Sequence, residues 1–218
     1  MDRIVYLGPY NNKNEKFFQQ SLDYLKQNKG DRFYYILPNG KLLNQYRKAM
    51  IKEIGGTFNI NLFTFDNIVD KLLEGSSYAH IDENMKEALL KYILSQLINR
   101  GQIKYYKNIS TKEGFIKILS NIIGEIKRSL ISPETYLSKC PDCPFYKEIG
   151  IIYKEYENWL EEYNFIDREG SFFKSLEILK EDNSFFDGLD FILIDEFFDF
   201  RPQEIKLLGE ITKTQIPI

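Results

Sequence analysis

The chain reads as an α/β protein, a parallel β-sheet flanked by helices and interrupted by an inserted all-helical lobe. Three observations predict this. Phe191-Ile192-Leu193-Ile194 is a four-residue apolar run, the pattern of a strand buried on both faces of a parallel sheet, and it delivers Asp195 and Glu196 into a turn and then a helix. At the other end of the chain, strand-like and helix-like segments alternate from Arg3 onward. Between the two, from Gly75 to about Asp187, the apolar periodicity becomes mainly helical.

Taken in order, Arg3-Ile4-Val5-Tyr6-Leu7 is a strand, and Gly8-Pro9-Tyr10-Asn11-Asn12 a turn into a helix with Phe18, Leu22 and Leu25 on one face. Phe33-Tyr34-Tyr35-Ile36-Leu37 is a second strand. It ends at Pro38-Asn39-Gly40 and leads to a helix from about Leu42 to Ile54, closed by Gly55-Gly56, which completes a βαβ unit. Phe58-Asn59-Ile60-Asn61-Leu62 alternates like a third strand, and Thr64-Phe65-Asp66 opens a short helix carrying Ile68, Val69, Leu72 and Leu73. In the helical stretch Asp82 caps a helix bearing Met85, Leu89, Leu90, Ile93 and Leu97. Ser110-x-x-Glu113 is a capping-box signature ahead of Phe115, Ile118, Leu119, Ile122, Ile123 and Ile126. Ser132-Pro133-Glu134 starts a short helix, a longer one runs from about Phe145 to Tyr163, and Phe172, Phe173, Leu176 and Leu179 mark a last apolar face. The expected sheet domain is therefore 1–75 with 186–218, and the helical lobe 76–185.

A length of 218 residues suits one or two domains, and 43% hydrophobic with 15% aromatic residues supplies a packed core. No apolar run approaches the roughly 20 residues of a membrane span, and the N-terminus lacks the basic-then-apolar layout of a secretory signal, so the cytoplasm is the expected location. A formal charge of -3 argues against a surface that is basic all over. Any DNA contact must then be a local patch. The basic clusters are Lys104-Tyr105-Tyr106-Lys107 and Lys127-Arg128, both inside the helical stretch; lysine beside tyrosine can grip phosphate and stack a base, while a solvated helix face is the favoured reading of each.

Cys140 and Cys143 form a CxxC, half of a tetrahedral zinc site, but the lone histidine, His80, lies far upstream. Two reduced thiols in a proline-bounded turn is the preferred reading, and no metal site is expected. His80 reads as a loop residue.

Asp195 and Glu196 emerge at the carboxyl end of their strand, where α/β proteins bind ligands. This suits a Walker B pair, in which the first acid holds the magnesium shell on nucleotide phosphates and the second orients the attacking water. The alternative is that the two acids merely end a strand and cap a helix. The turn from Gly8 holds the position of a phosphate loop, GxxxxGK[ST]. Counting from Gly8, Lys13 stands where the second glycine belongs, Asn14 where the lysine belongs and Glu15 where the hydroxyl belongs, so the loop reads as degenerate.

The string Asp195-Glu196-Phe197-x-Asp199-Phe200-x-Pro202 resembles motif II of superfamily 1 helicases, and most closely the AddB-type (RexB-like) subunit of bacterial ATP-dependent helicase-nucleases. Leu37-Pro38 and Thr64-Phe65-x-x-Ile68 resemble the segments after the phosphate loop in AddB-type and UvrD-like proteins. The helical stretch resembles their insertion 1B, and Phe165-Ile166-Asp167 the stretch upstream of motif II. The resemblance implies a RecA-like, P-loop NTPase-type sheet, incomplete at the C-terminus, in a degenerate domain that guides single-stranded DNA as a scaffold without hydrolysing nucleotide. It further implies an AddA-type partner subunit, DNA ends as ligand, ATP and magnesium as the family's cofactors though none in this segment, and a nuclease domain with iron-sulfur cysteines beyond residue 218. A working ATP-dependent translocase is one alternative. A protein-interaction module joined through Cys140 and Cys143 is the other.

Overall fold

The computed structural model describes residues 14–56, 60–214 and 216–218. They gather into two compact units, the described residues of 14–74 with those of 175–218, and 75–174. The expected strand from Arg3 to Leu7, with Gly8 and Lys13 after it, lies outside the described residues.

In the first unit the helical spacing of α1 (Asn14–Lys26) buries Leu22 and Leu25, with Phe18 half-buried beside them. β1 (Phe33–Ile36) leads to α2 (Gly40–Ile54). Asn39 caps α2 by accepting from Leu42 N at 3.0 Å, and Gly55 ends it at φ 76°, a left-handed conformation that costs glycine nothing because it has no Cβ. β2 is Leu62–Phe63, later than the strand expected from Phe58; residues 57–59 are outside the described set. α3 (Phe65–Leu72) opens on a reciprocal cap, with Thr64 Oγ1 accepting from Asn67 N and Asn67 Oδ1 from Thr64 N.

The second unit is mainly helical, but not all-helical as expected. β3 (Ala79–His80) precedes α4 (Glu83–Asn99), α5 (Glu113–Arg128), α6 (Pro133–Lys139) and α7 (Pro144–Glu162). β4 (Phe165–Ile166) then pairs in parallel with β3, His80 opposite Ile166. His80 is thus a strand residue and not a loop residue, because a two-residue strand is too short to register as a period. α8 (Arg168–Glu181) runs across residue 175, so the division between the units falls inside a helix instead of between 185 and 186. Asp82 and Ser132 cap as their spacing predicts. Ser110 does not: its hydroxyl donates to Lys107 O, and α5 starts after Lys112 with no side-chain cap. Met85 and Ile118, expected on the apolar faces, are 39% and 58% exposed. The rest of those faces is core as expected, with Leu89, Leu90, Ile93, Leu97, Leu119 and Ile123 buried, joined by Leu94 and Ile116.

Buried within this unit is a chain of ion pairs. Asp167 starts α8, taking Gly170 N on Oδ1 at 2.7 Å, and the same oxygen meets Lys127 Nζ at 2.6 Å; Tyr156 donates to Oδ2 at 3.0 Å. Lys127 also binds Glu157, and Lys86 joins Asp167 to Glu169. Gly170 has to be glycine for this approach: a Cβ there would lie 2.8 Å from Asp167 Oδ1. Burial pushes the Asp167 carboxyl up, but Lys127 and Lys86 outweigh it and hold the group below the usual carboxylate range.

β5 (Phe191–Ile194) and α9 (Pro202–Ile211) complete the first unit. The sheet is parallel throughout, in the order β2-β1-β5, with Phe33 opposite Phe191 and Ile36 opposite Ile194. Phe33, Tyr35, Leu37, Leu62, Phe191 and Leu193 share one face with α1 and α2, while Ile36 and Ile192 are fully buried. On the edge of β5 away from β1, Ile192 N donates to Pro217 O at 2.9 Å. The pairing expected between β5 and the strand ending at Leu7 involves residues outside the described set.

Lys127 is completely buried against two carboxylates, so Lys127→Ala should destabilise the protein by about 3–5 kcal/mol, the range for a buried ion pair robbed of one partner. Urea unfolding measures it. A loss under about 1 kcal/mol, the value of an exposed pair, would show that the network is open to water.

Candidate functional site

The acidic pair lies where the sheet ends. Asp195 N extends the β1–β5 ladder by donating to Ile36 O at 3.1 Å, and the chain then turns sharply at Glu196, which has φ 64°. A left-handed residue with a Cβ costs about 1–2 kcal/mol. Two bonds offset that cost: Glu196 N donates to Asp195 Oδ1 at 2.8 Å, and Glu196 Oε1 accepts from Tyr46 Oη at 2.9 Å.

The residues after the acids anchor this turn. Phe197 and Phe200 stack with centroids 4.7 Å apart, and both rings present edges to Phe65 at the start of α3. Pro202 begins α9, where its missing N–H is no loss, and Glu204 reaches back to Arg201 N at 2.8 Å. Arg201 Nη2 spans Glu204 at 2.7 Å and Asp66 at 3.1 Å. Asp199 stays exposed, and Phe198 is 90% exposed.

The Asp195 carboxylate is occupied on both oxygens. Oδ1 takes Glu196 N, and Oδ2 takes the hydroxyl of Tyr35 at 2.5 Å, from a side chain with no exposed surface. Tyr46 Oη stands 3.4 Å from the same Oδ2, but its single proton serves the shorter bond to Glu196. Burial first, then the charge on Asp195, pushes both phenols well above their ordinary range, so they remain protonated donors. Magnesium keeps several waters around it and needs near-octahedral geometry. Asp195 is 8% exposed, and a buried phenol is seated on one of its carboxylate oxygens.

Asn14 and Glu15, the remaining loop residues, begin α1. Cys140 and Cys143 are free, half-buried thiols at the end of α6 and the start of α7, and no three potential metal ligands cluster among the described residues. Lys127 faces neither DNA nor solvent, which corrects both readings of that position; Arg128 is partly exposed and bound to Glu169 at 2.6 Å. Lys104, Tyr105 and Lys107 are exposed, in the loop between α4 and α5 and not on a helix. Sequence reasoning missed Tyr35 and Tyr46. The available signal was an extra hydroxyl at a core-facing position of β1, beside a strand that ends in acids.

A family model described as "ADDB, N-terminal" matches residues 9–216, and the chain belongs to that family. Curated relatives that bear the name of the B-type subunit of an ATP-dependent helicase/deoxyribonuclease are similar to it. The one from Clostridium kluyveri is 32% identical over 199 residues, 85% of this chain and 17% of the relative. That from Clostridium tetani is 27% identical over 223 residues, covering 96% and 19%, and that from Natranaerobius thermophilus 28% identical over 196, covering 84% and 16%. The chain thus spans under a fifth of the length of these relatives.

Replacing Tyr35 with Phe keeps the ring and removes only the donor to a buried carboxylate. Tyr35→Phe should lower stability by about 1.5–3 kcal/mol, the scale of a hydrogen bond to a charged group, and Tyr46→Phe by less because Tyr46 is only partly buried. Unfolding curves of the two variants test this, and a larger loss from Tyr46→Phe would reverse the assignment of the key donor.

Proposed function

We propose that this chain is a non-hydrolysing, RecA-like helicase domain of a protein that helps process DNA double-strand breaks for homologous recombination, acting as scaffold and guide for single-stranded DNA. The observation that carries the proposal is the Tyr35 hydroxyl on Asp195: the acid that would hold magnesium is already bonded inside the protein. The sequence of the loop from Gly8, with Asn14 and Glu15 where lysine and hydroxyl belong, agrees with it. The parallel order β2-β1-β5, with the acids at the carboxyl end of β5, is compatible with a P-loop NTPase-type sheet that has lost its chemistry.

The relatives' name, one subunit of a helicase/deoxyribonuclease, supports a second subunit as partner, which we take to be of the AddA type, with DNA ends as the shared ligand. No helix among the described residues is long and apolar enough to cross a membrane, and a cytoplasmic location suits DNA as substrate.

Calorimetry with ATP and magnesium should show no binding tighter than about millimolar, equivalent to about 4 kcal/mol. Micromolar, magnesium-dependent binding that disappears in Asp195→Ala would replace this reading with that of an active ATPase.

Single-stranded DNA should bind through few phosphates, since the chain is acidic overall and its exposed cations are local. With roughly two to four phosphates contacted, log affinity should fall against log salt with a slope of about -1.4 to -2.8. Anisotropy titrations over a salt series give the slope, and Lys104→Ala/Lys107→Ala should make it shallower. A slope unchanged in that double variant would place the DNA path elsewhere.

A further inference from the structure

The loop between α4 and α5 is held by an interaction that its own sequence does not announce. Glu148 of α7 is 6% exposed, and its carboxylate takes three successive backbone amides: Lys104 N and Tyr105 N on Oε1, both at 2.7 Å, and Tyr106 N on Oε2 at 3.0 Å. A buried carboxylate with three charge-assisted bonds fixes the loop's register against the helix. Tyr106 adds a fourth tie, donating to Phe145 O at 3.1 Å, while its ring stacks on Phe115 at 4.9 Å.

What this anchoring displays is apolar and basic together. Tyr105 is 57% exposed, and beside it the first turn of α7 presents Phe145 and Tyr146, 38% and 40% exposed. The rings touch in a row, Tyr105 to Phe145 at 6.1 Å and Phe145 to Tyr146 at 4.8 Å. Residues 100–112 carry Arg100, Lys104, Lys107 and Lys112 and no acid. Lys104 and Lys107 make no ion pair among the described residues, and the buried Glu148 carboxylate beneath them is spent on the amides. Partly exposed aromatic rings, set edge to face, flanked by unpaired cations complement a ligand with both π-faces and regularly spaced negative charges.

We propose that Tyr105, Phe145 and Tyr146 form a platform on which bases of single-stranded DNA stack, with Lys104 and Lys107 on the phosphates and Glu148 as the positioning residue that builds it. This rests on the DNA-guiding reading above, and adds that affinity comes from bases as well as phosphates. Base stacking needs rings held in place; phosphate contact alone does not.

The test compares a labelled oligothymidine with an abasic strand of equal length, on the 218-residue chain, by anisotropy at low salt. The parent should prefer oligothymidine. Tyr105→Ala and Phe145→Ala should lose about fivefold to a hundredfold on oligothymidine, the range for one stacked base, and little on the abasic strand. Tyr105→Phe keeps the ring and should bind like the parent. Glu148→Gln, which offers one acceptor where three amides converge, should also shrink the ratio between the two strands, a readout that general loosening of the fold would not move. Equal parental affinity for both strands, or a preference that survives Tyr105→Ala, overturns the platform and leaves the charge-based DNA reading standing. No parental binding to either strand removes both. Polyglutamate competing as well as oligothymidine per charge would put an acidic protein segment there, and would overturn the proposal too.

Discussion

The pairing of β1 with β5 is the constraint on which the first unit depends. These strands are separated in sequence by the whole second unit, yet run in register over four residue pairs from Phe33–Phe191 to Ile36–Ile194. Parallel strands cannot be joined by a tight hairpin, so a long connection between them is a topological requirement, and here it holds a unit with a core of its own. Register sets which groups meet at the carboxyl edge. Because Tyr35 lies opposite Leu193 on the same face, its hydroxyl reaches past the strand end to Asp195. A slip by one residue would turn Tyr35 to the other face and leave the carboxylate buried without its donor.

Three of the buried carboxylates among the described residues are satisfied in three different ways, and the difference decides what each can do. Asp195 accepts from a phenol on one oxygen and a backbone amide on the other, which ties the end of β5 to β1. Asp167 is neutralised by ammonium groups, which joins α5 and α8 while taking Lys127 off the surface. Glu148 accepts only from backbone, which leaves the side chains of Lys104 and Tyr105 exposed while Tyr106 turns into the core. An unpaired buried carboxylate would be prohibitive, so each of these acids had to recruit donors from a distant part of its unit.

The aromatic content works on both sides of the same line. Phe197, Phe200 and Phe65 lock the turn after the acidic pair, and Phe33 stacks on Phe191 within the sheet. Most of the phenylalanines and tyrosines that the sequence places at helical or strand spacing are core. Tyr105, Phe145 and Tyr146 are among the departures, as are Tyr92, Tyr163 and Phe198; what sets the first three apart is that their rings meet one another, while Tyr106 beside them fills the core.

The sequence by itself determined the elements whose signal is local. Asn39, Thr64, Asp82 and Ser132 cap where their spacing predicts, because a cap is an interaction over three residues. The apolar run 191–194 is a buried parallel strand, and the order of acids, aromatics and proline after it carries the family resemblance that the match over residues 9–216 bears out. Periodicity could not say which of two lysine clusters was buried. Lys104 and Lys127 look alike as residues, and only the convergence of Asp167 and Glu157 on Lys127 separates them. The same holds for the acidic pair: spacing puts Asp195 and Glu196 at a strand end, but the donor that the Asp195 carboxylate meets there comes from Tyr35, 160 residues away in sequence and one strand away in space. Charge, burial and hydrogen bonding across such separations are properties of the folded arrangement, and no window along the chain contains them.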